Sequence, residues 1–209
     1  MTSYRVEVRQ CPNCACEFSF WAVNSCNTLG AKFYTDGFID GRMYVDGSDL
    51  LACPKCNTYF WRDDVPIRKS LRDYEYFDKP EWKSLPEASQ LHGRDYEYLL
   101  PLKLWRNKTE EEYVRIRAWW SFNAEYRLQA CEDFKLPAEQ EENLERLLHL
   151  LDTNNQHSLV MKAEILRELG QFDECLRAIN QVSDNRYSKV VNVIKKLAKS
   201  STRQVGLVA

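Results

Sequence analysis

Cys11-Pro12-Asn13-Cys14 and, 42 positions later, Cys53-Pro54-Lys55-Cys56 are two copies of one short stretch. Each reads as a tight turn carrying two thiols, and together they supply four in the two-plus-two arrangement that a tetrahedral zinc ion takes. The likeness extends past the turns, since Phe18 and Phe60 each follow the second Cys by four positions. Proline fixes φ and removes one amide, which leaves the remaining amides of the turn to point at thiolate sulfur and spread its charge. Cys11, Cys14, Cys53 and Cys56 are therefore read as the ligands of one structural metal ion. Cys16 is an alternative ligand by proximity, but its counterpart after the second turn is Thr58, so the internal repeat speaks against it.

Zinc is the expected ion. Iron held by the same four thiolates is a competing reading, as is a dithiol redox pair, which needs a lowered thiol pKa and exposure. Two matched pairs favour closure around a metal, because a catalytic dithiol has no use for a twin. A catalytic zinc keeps one position open and usually includes His, whereas His92, His149 and His157 are all far from the turns in sequence. No phosphate loop, nucleophile elbow or His-x-x-x-His pair is present.

Outward from the turns, residues 4–10 alternate in character as a short strand does. Leu50-Leu51-Ala52 enters the second turn and Tyr59-Phe60-Trp61 leaves it. The 38 residues between the turns contain Asp36-Gly37, Asp40-Gly41 and Asp46-Gly47, favoured turn dipeptides. Short strands are expected at 32–34 and 42–45, making a small twisted β-structure that closes over the metal. Asp36, Asp40, Asp46 and Asp49 do not match the spacing of a calcium loop such as the EF-hand and are read as turn residues.

Residues 65–108 hold four prolines and a duplicated pentapeptide, Arg-Asp-Tyr-Glu-Tyr, at 72–76 and 94–98. The many aromatic residues argue against a free linker; short helices that pack the two ends of the chain together are expected, with a partner surface as the sharper alternative. From residue 109 the pattern turns helical. Thr109 and Glu112 have the form of a capping box, and Tyr113, Ile116, Trp120, Ala124, Arg127 or Leu128, and Cys131 follow at helical spacing. Pro137 opens a second helix with a stripe of Leu144, Leu147, Leu148 and Leu151. Leu159 to Leu169, Gly170, and Phe172 to Val182 predict two antiparallel helices joined by a short turn. Tyr187 to Leu197 predict a last helix to cap the stack. Cys131 and Cys175 fall in these helical patterns as small buried residues. From Asn185 onward there are six basic residues and no acidic one; this reads as a solvated face, with an acidic partner as the alternative.

Composition narrows the function classes. The 209 residues carry 29 Lys+Arg against 31 Asp+Glu, a net charge of −2, which gives no global pull toward nucleic acid or anionic membrane. Residues 1–64 hold six basic and eight acidic side chains, whereas a DNA-reading finger is normally basic. No stretch approaches the ~18 apolar residues of a membrane span. No signal peptide is recognisable, and the eight cysteines are accordingly placed in a reducing cytosol, where close pairs hold metal more often than they form disulfides.

Three resemblances follow from these residues. The paired Cys-Pro-x-Cys turns resemble zinc-ribbon and rubredoxin-like modules. Ala163, Gly170, Phe172 and Cys175 resemble one tetratricopeptide repeat. Leu29-Gly30-Ala31, Tyr34-Thr35-Asp36-Gly37, the second turn with Phe60-Trp61, and Ala118-Trp119-Trp120-Ser121-x-Asn123 resemble a family of bacterial proteins of unassigned function, which implies a bacterial source and no particular activity. The expected architecture is α+β: a β-rich zinc-ribbon module at 1–64, a connecting segment at 65–108, and a helical tetratricopeptide-like module at 109–209. The expected function is non-catalytic binding of another protein through the helical module, as an adaptor, chaperone-like factor or immunity-type partner. Nucleic-acid binding through the ribbon and final helix is the first rival, and a thiol-redox or metal-dependent enzyme the second.

Overall fold

The computed structural model describes residues 2–128 and 134–209; Cys131 lies outside them. In chain order the elements are β1 (Ser3–Gln10), β2 (Glu17–Ser25), β3 (Lys32–Phe33), β4 (Ile39–Asp40), β5 (Leu50–Ala52), β6 (Tyr59–Trp61), β7 (Lys69–Arg72), α1 (Asp73–Asp78), α2 (Pro80–Lys83), β8 (Ser89–Gln90), α3 (Asp95–Leu99), α4 (Lys108–Leu128), α5 (Ala138–Leu150), α6 (Gln156–Glu168), α7 (Phe172–Ile179) and α8 (Ser188–Lys199). Helix accounts for 44% and strand for 18%, with small antiparallel sheets toward the N-terminus and helices toward the C-terminus, an α+β protein as expected. The chain divides into two compact units: Met1–Ala31 with Gly41–His92, and Lys32–Asp40 with Gly93–Ala209.

The first unit is built from two like sheets, ordered β2-β1-β7 and β6-β5-β8. In each, a hairpin is closed by one cysteine turn, and a third strand pairs antiparallel with the hairpin's first arm. The two hairpins share one register, Gln10 opposite Glu17 and Ala52 opposite Tyr59. Alternation along β2 turns Phe18, Phe20 and Ala22 to one side, where they meet Leu51, Phe60, Val65 and the buried Cys11 and Cys53. Each fully buried Phe or Leu of this set contributes about 1.5–3 kcal/mol relative to exposure. On the other face Val6, Val8, Leu71 and Tyr76 pack with Trp21, Trp82 and Leu85. Arg9, 4% exposed, pairs with the buried Glu7 at 2.6 Å and donates to the carbonyls of Arg62 and Val65, tying β1 to the turn that follows β6.

Residues 32–40 group with the helices. Strand β3 pairs with β4 across the Asp36-Gly37 turn, and Phe33 exchanges backbone hydrogen bonds with the 208–209 segment (Phe33 N–H to the Ala209 carbonyl, 2.9 Å; Val208 N–H to the Phe33 carbonyl, 2.7 Å). This corrects the expected single β-structure between the cysteine turns. No strand forms at 42–45, because β3 finds its partner directly across the turn and Gly41 starts a turn of its own (Tyr44 N–H to Gly41 carbonyl, 3.1 Å). A Cβ at Gly41 would lie 2.6 Å from the Ala31 Cβ, so only glycine lets the chain return beside the point where it left the first unit.

In the second unit α6 and α7 form the expected helix hairpin. Gly170 stands at φ +81° in its turn, and Ala163 and Cys175 are fully buried. Val191, Ile194 and Ala198 of α8 join the same core. A neighbouring core gathers Trp119, Leu144, Leu147, Met161 and Ile165. Two details depart from the sequence reading. Helix α4 starts at Lys108 and its cap is Asn107, whose Oδ1 accepts the Glu110 N–H at 2.9 Å; Asn serves as well as Thr in that role. The buried face of α4 is Glu111, Val114, Ala118, Trp119 and Asn123, while Tyr113, Ile116 and Trp120 are half-buried and Ala124 is exposed.

Candidate metal centre

The two cysteine turns superimpose hydrogen bond for hydrogen bond. Cys11 N–H donates to the Cys16 carbonyl (2.9 Å) and Cys53 N–H to that of Thr58 (3.0 Å). Ala15 N–H donates to the Cys11 carbonyl and Asn57 N–H to that of Cys53, both at 3.0 Å. Asn13 N–H reaches Cys11 Sγ and Lys55 N–H reaches Cys53 Sγ, both at 3.4 Å. Both turns end on a left-handed residue, Ala15 at φ +57° and Asn57 at +56°. The Phe18 and Phe60 rings pack against each other with centroids 5.5 Å apart, which holds the two hairpins together beside the sulfurs.

The ligand atoms of Cys11, Cys14, Cys53 and Cys56 all lie within 4.8 Å of one another, the one group of three or more potential metal ligands among the described residues. Cys11 Sγ is 3.7 Å from Cys56 Sγ, and Cys14 Sγ is 3.7 Å from Cys53 Sγ. Sulfurs placed ~2.3 Å from a central ion at tetrahedral angles are about 3.8 Å apart. The separations thus match the edge of a metal–S4 tetrahedron and are far too long for a disulfide, whose S–S length is ~2.05 Å. Four close cysteines in this arrangement can hold a metal ion.

The donor chemistry agrees. Cys56 is brought down to about 5, first by the Thr58 hydroxyl 3.3 Å from its sulfur and then by the Thr58 amide. Asn13 Nδ2 donates to Thr58 Oγ1 at 3.0 Å, and the Cys56 thiol is placed to donate to the same oxygen at 3.3 Å. At Cys14 the Cys16 amide lowers the pKa, but desolvation and the Cys56, Cys53 and Cys11 thiols together push it up to about 12. Burial, before any other cause, raises Cys11. Ionising all four sulfurs in so small a space therefore calls for a cation, and a metal binding there releases protons.

Cys16 stands outside the group, donating to the Glu17 carbonyl at 3.3 Å, and Cys26 is exposed. His92, His149 and His157 lie exposed on their units. Sequence reasoning missed Asn13 and Thr58, which shape the sulfur environment. The internal repeat pointed to Thr58 only as a vote against Cys16.

The motif residues of the 32–40 hairpin and α4 form a second, buried constellation in the second unit. Asp36, 1% exposed, pairs with Arg127, accepts from Asn123 Nδ2 at 3.1 Å, and through its carbonyl accepts from Trp120 Nε1 at 2.9 Å. Asn123 Nδ2 also donates to Glu168 Oε1 (3.0 Å), whose Oε2 accepts from Trp119 Nε1 (2.8 Å). Thr35 donates to Glu164, which holds Arg167 at 2.5 Å, and Arg167 donates to the Thr202 carbonyl. Asp36 is thus more than the turn residue expected. With Asp36, Asn123, Glu164, Arg167 and Glu168 all buried, the network's place is in the core. No helix among the described residues is long and apolar enough to cross a membrane. Compared with known protein families, curated proteins and solved structures, the chain matches none, so the resemblances noted above rest on the quoted residues alone.

Proposed function

We propose that the chain is a zinc-stabilised, non-catalytic protein-interaction module, an adaptor, chaperone-like factor or immunity-type partner. The observation that carries the reading is the composition of the metal centre. All four corners of the tetrahedron are thiols at closed-site separations, which leaves no position for water or substrate. A structural zinc of this kind contributes roughly 10–16 kcal/mol of apparent binding free energy to a small module. The first unit needs such a staple, since its sheets have three strands each, several of them two or three residues long. The partner-binding half of the reading leans on the helical unit, where the α6–α7 hairpin keeps the tetratricopeptide-like order of Ala163, Gly170, Phe172 and Cys175. Helix pairs of this type present extended surfaces to peptides and partner helices.

Native mass spectrometry of the purified chain tests the first half. One zinc per chain, lost in a Cys53→Ser/Cys56→Ser variant that removes the second thiol pair, supports it. Alkylation mapping adds an internal control, with Cys26 reacting at once and Cys11, Cys14, Cys53 and Cys56 protected until a chelator is added. Rapid alkylation of those four in the metal-loaded chain would shift the assignment to thiol redox chemistry. Affinity capture from the native host tests the second half: a stoichiometric protein supports it, and co-purifying nucleic acid with steep salt sensitivity overturns it.

A further inference from the structure

The second unit contains a cavity of about 340 Å³ between the β3–β4 hairpin, the start of α6 and the start of α8. Its wall is apolar and aromatic, with Phe33, Phe38, Met161, Tyr187 and Val190 among the lining residues. The volume falls in the ~300–1,000 Å³ range of small-ligand sites, and the lining has their character, mostly apolar with a few polar groups. The charged side chains among them share a sign: Arg186 and Lys189 are cations, desolvation lowers the His157 pKa and favours its neutral form, and no acidic side chain lines the cavity. The same bias runs through the whole stretch from Asn185 onward, with six basic residues and no acid. Arg186 already shares its charge with Asp184 at 2.7 Å, so Lys189, exposed at the mouth, is the cation that sets the preference.

We propose that this cavity is a binding site for a small amphipathic carboxylate, with its hydrocarbon or aromatic body against Phe33, Phe38, Met161 and Val190 and its carboxylate at Lys189. Burial of the apolar body supplies most of the affinity. The exposed lysine adds selectivity for an anion over a neutral or cationic head group of the same tail. The site lies within the second unit and does not depend on the identity of the metal.

Isothermal titration calorimetry of the full chain, as purified with its metal, with octanoate, octan-1-ol and octyltrimethylammonium below their micelle concentrations separates the two contributions. The expected result is one octanoate per chain, bound roughly two- to fivefold more tightly than octan-1-ol, with octyltrimethylammonium weakest. Lys189→Glu, at an exposed position, should keep the melting temperature and remove or invert the order of the three probes. Val190→Trp, which fills the cavity, should weaken octanoate and octan-1-ol alike by about tenfold or more. The proposal is overturned by failure to saturate at about 10 mM octanoate. Equal affinity for the three head groups, or binding untouched by Val190→Trp in a folded variant, overturns it as well.

Discussion

Glu168→Gln tests the charge balance of the buried network. Three buried carboxylates, Asp36, Glu164 and Glu168, face two guanidiniums, the buried Arg167 and the nearly buried Arg127. One acid is in excess. Burial first, then the Glu164 charge, and also that of Asp36, push Glu168 up to about 8 from its ordinary 4.5, against the opposing pull of Arg167 and the Trp119 N–H. Glu168 therefore keeps its proton in the folded chain at neutral pH, with Oε2 accepting from Trp119 and Oε1 from Asn123. The sign follows from linkage: a carboxyl whose folded pKa is raised binds more protons folded than unfolded between the two values. Its contribution is fully present below about 4.5 and is lost as pH rises through about 8. At ~1.4 kcal/mol per pKa unit, the raised value corresponds to about 5 kcal/mol across that window. Gln cannot ionise, so the stability of Glu168→Gln minus that of wild type should climb with pH by ~1.4 kcal/mol per unit between about pH 5 and 8 and level off above. A constant offset of about 1–2 kcal/mol against the variant is expected, because the Gln amide meets the Asn123 amide donor to donor. Urea denaturation at a series of pH values measures the difference directly. Two profiles that run parallel between pH 5 and 8 would refute the assignment of the excess proton to Glu168.

Asp36→Ala removes the acceptor of Arg127 and Asn123 and strands a guanidinium whose side chain is 5% exposed, which should cost about 3–5 kcal/mol in urea denaturation; Asp36→Asn should cost less. Ala15 holds φ +57°, a region that Asn adopts more readily than Ala and Gly most readily of all, so Ala15→Gly should raise stability by up to about 1 kcal/mol, read as a higher thermal midpoint. The matching Asn57→Ala should lower it. Chelation of the metal-loaded chain should make the freed thiols take up protons and should lower the thermal midpoint, the midpoint by more above pH 7 than below it, since thiol deprotonation accompanies binding and binding tightens as pH rises; a pH-independent drop in midpoint would contradict thiolate ligation.

The cluster of four cysteines was legible in the sequence, because each half is a four-residue turn whose geometry proline and the local amides set. The strands flanking the turns were legible by alternation, although β2, with Phe18, Phe20 and Ala22 alternating in the same way, went unread beyond Phe18. Helix α4 shows where period reading fails. Its apolar residues Tyr113, Ile116 and Trp120 suggested one face, but the face that is buried carries Glu111 and Asn123. Arg115 and Arg146 both pair with Glu111 at 2.9 Å, and Asp36 and Glu168 take the Asn123 amide. A buried polar residue with partners looks like a surface residue in the sequence.

The duplicated Arg-Asp-Tyr-Glu-Tyr separates the two kinds of information. Both copies begin a short helix, α1 and α3, just after the arginine. Their tyrosines are used in opposite ways: in the first copy Tyr76 is buried and Tyr74 exposed, in the second Tyr96 is buried and Tyr98 exposed. The sequence by itself determined the cysteine turns, the α+β order of elements and these helix starts, because each depends on backbone geometry and on neighbours a few positions away. Only the tertiary structure decided which tyrosine goes inside, that residues 32–40 join the helices, and that Asp36 is a buried ion-pair partner. Those outcomes rest on contacts 87 positions apart at Asn123 and 129 at Glu164, where a polar group is stable in the core only once the fold has brought its partner to it.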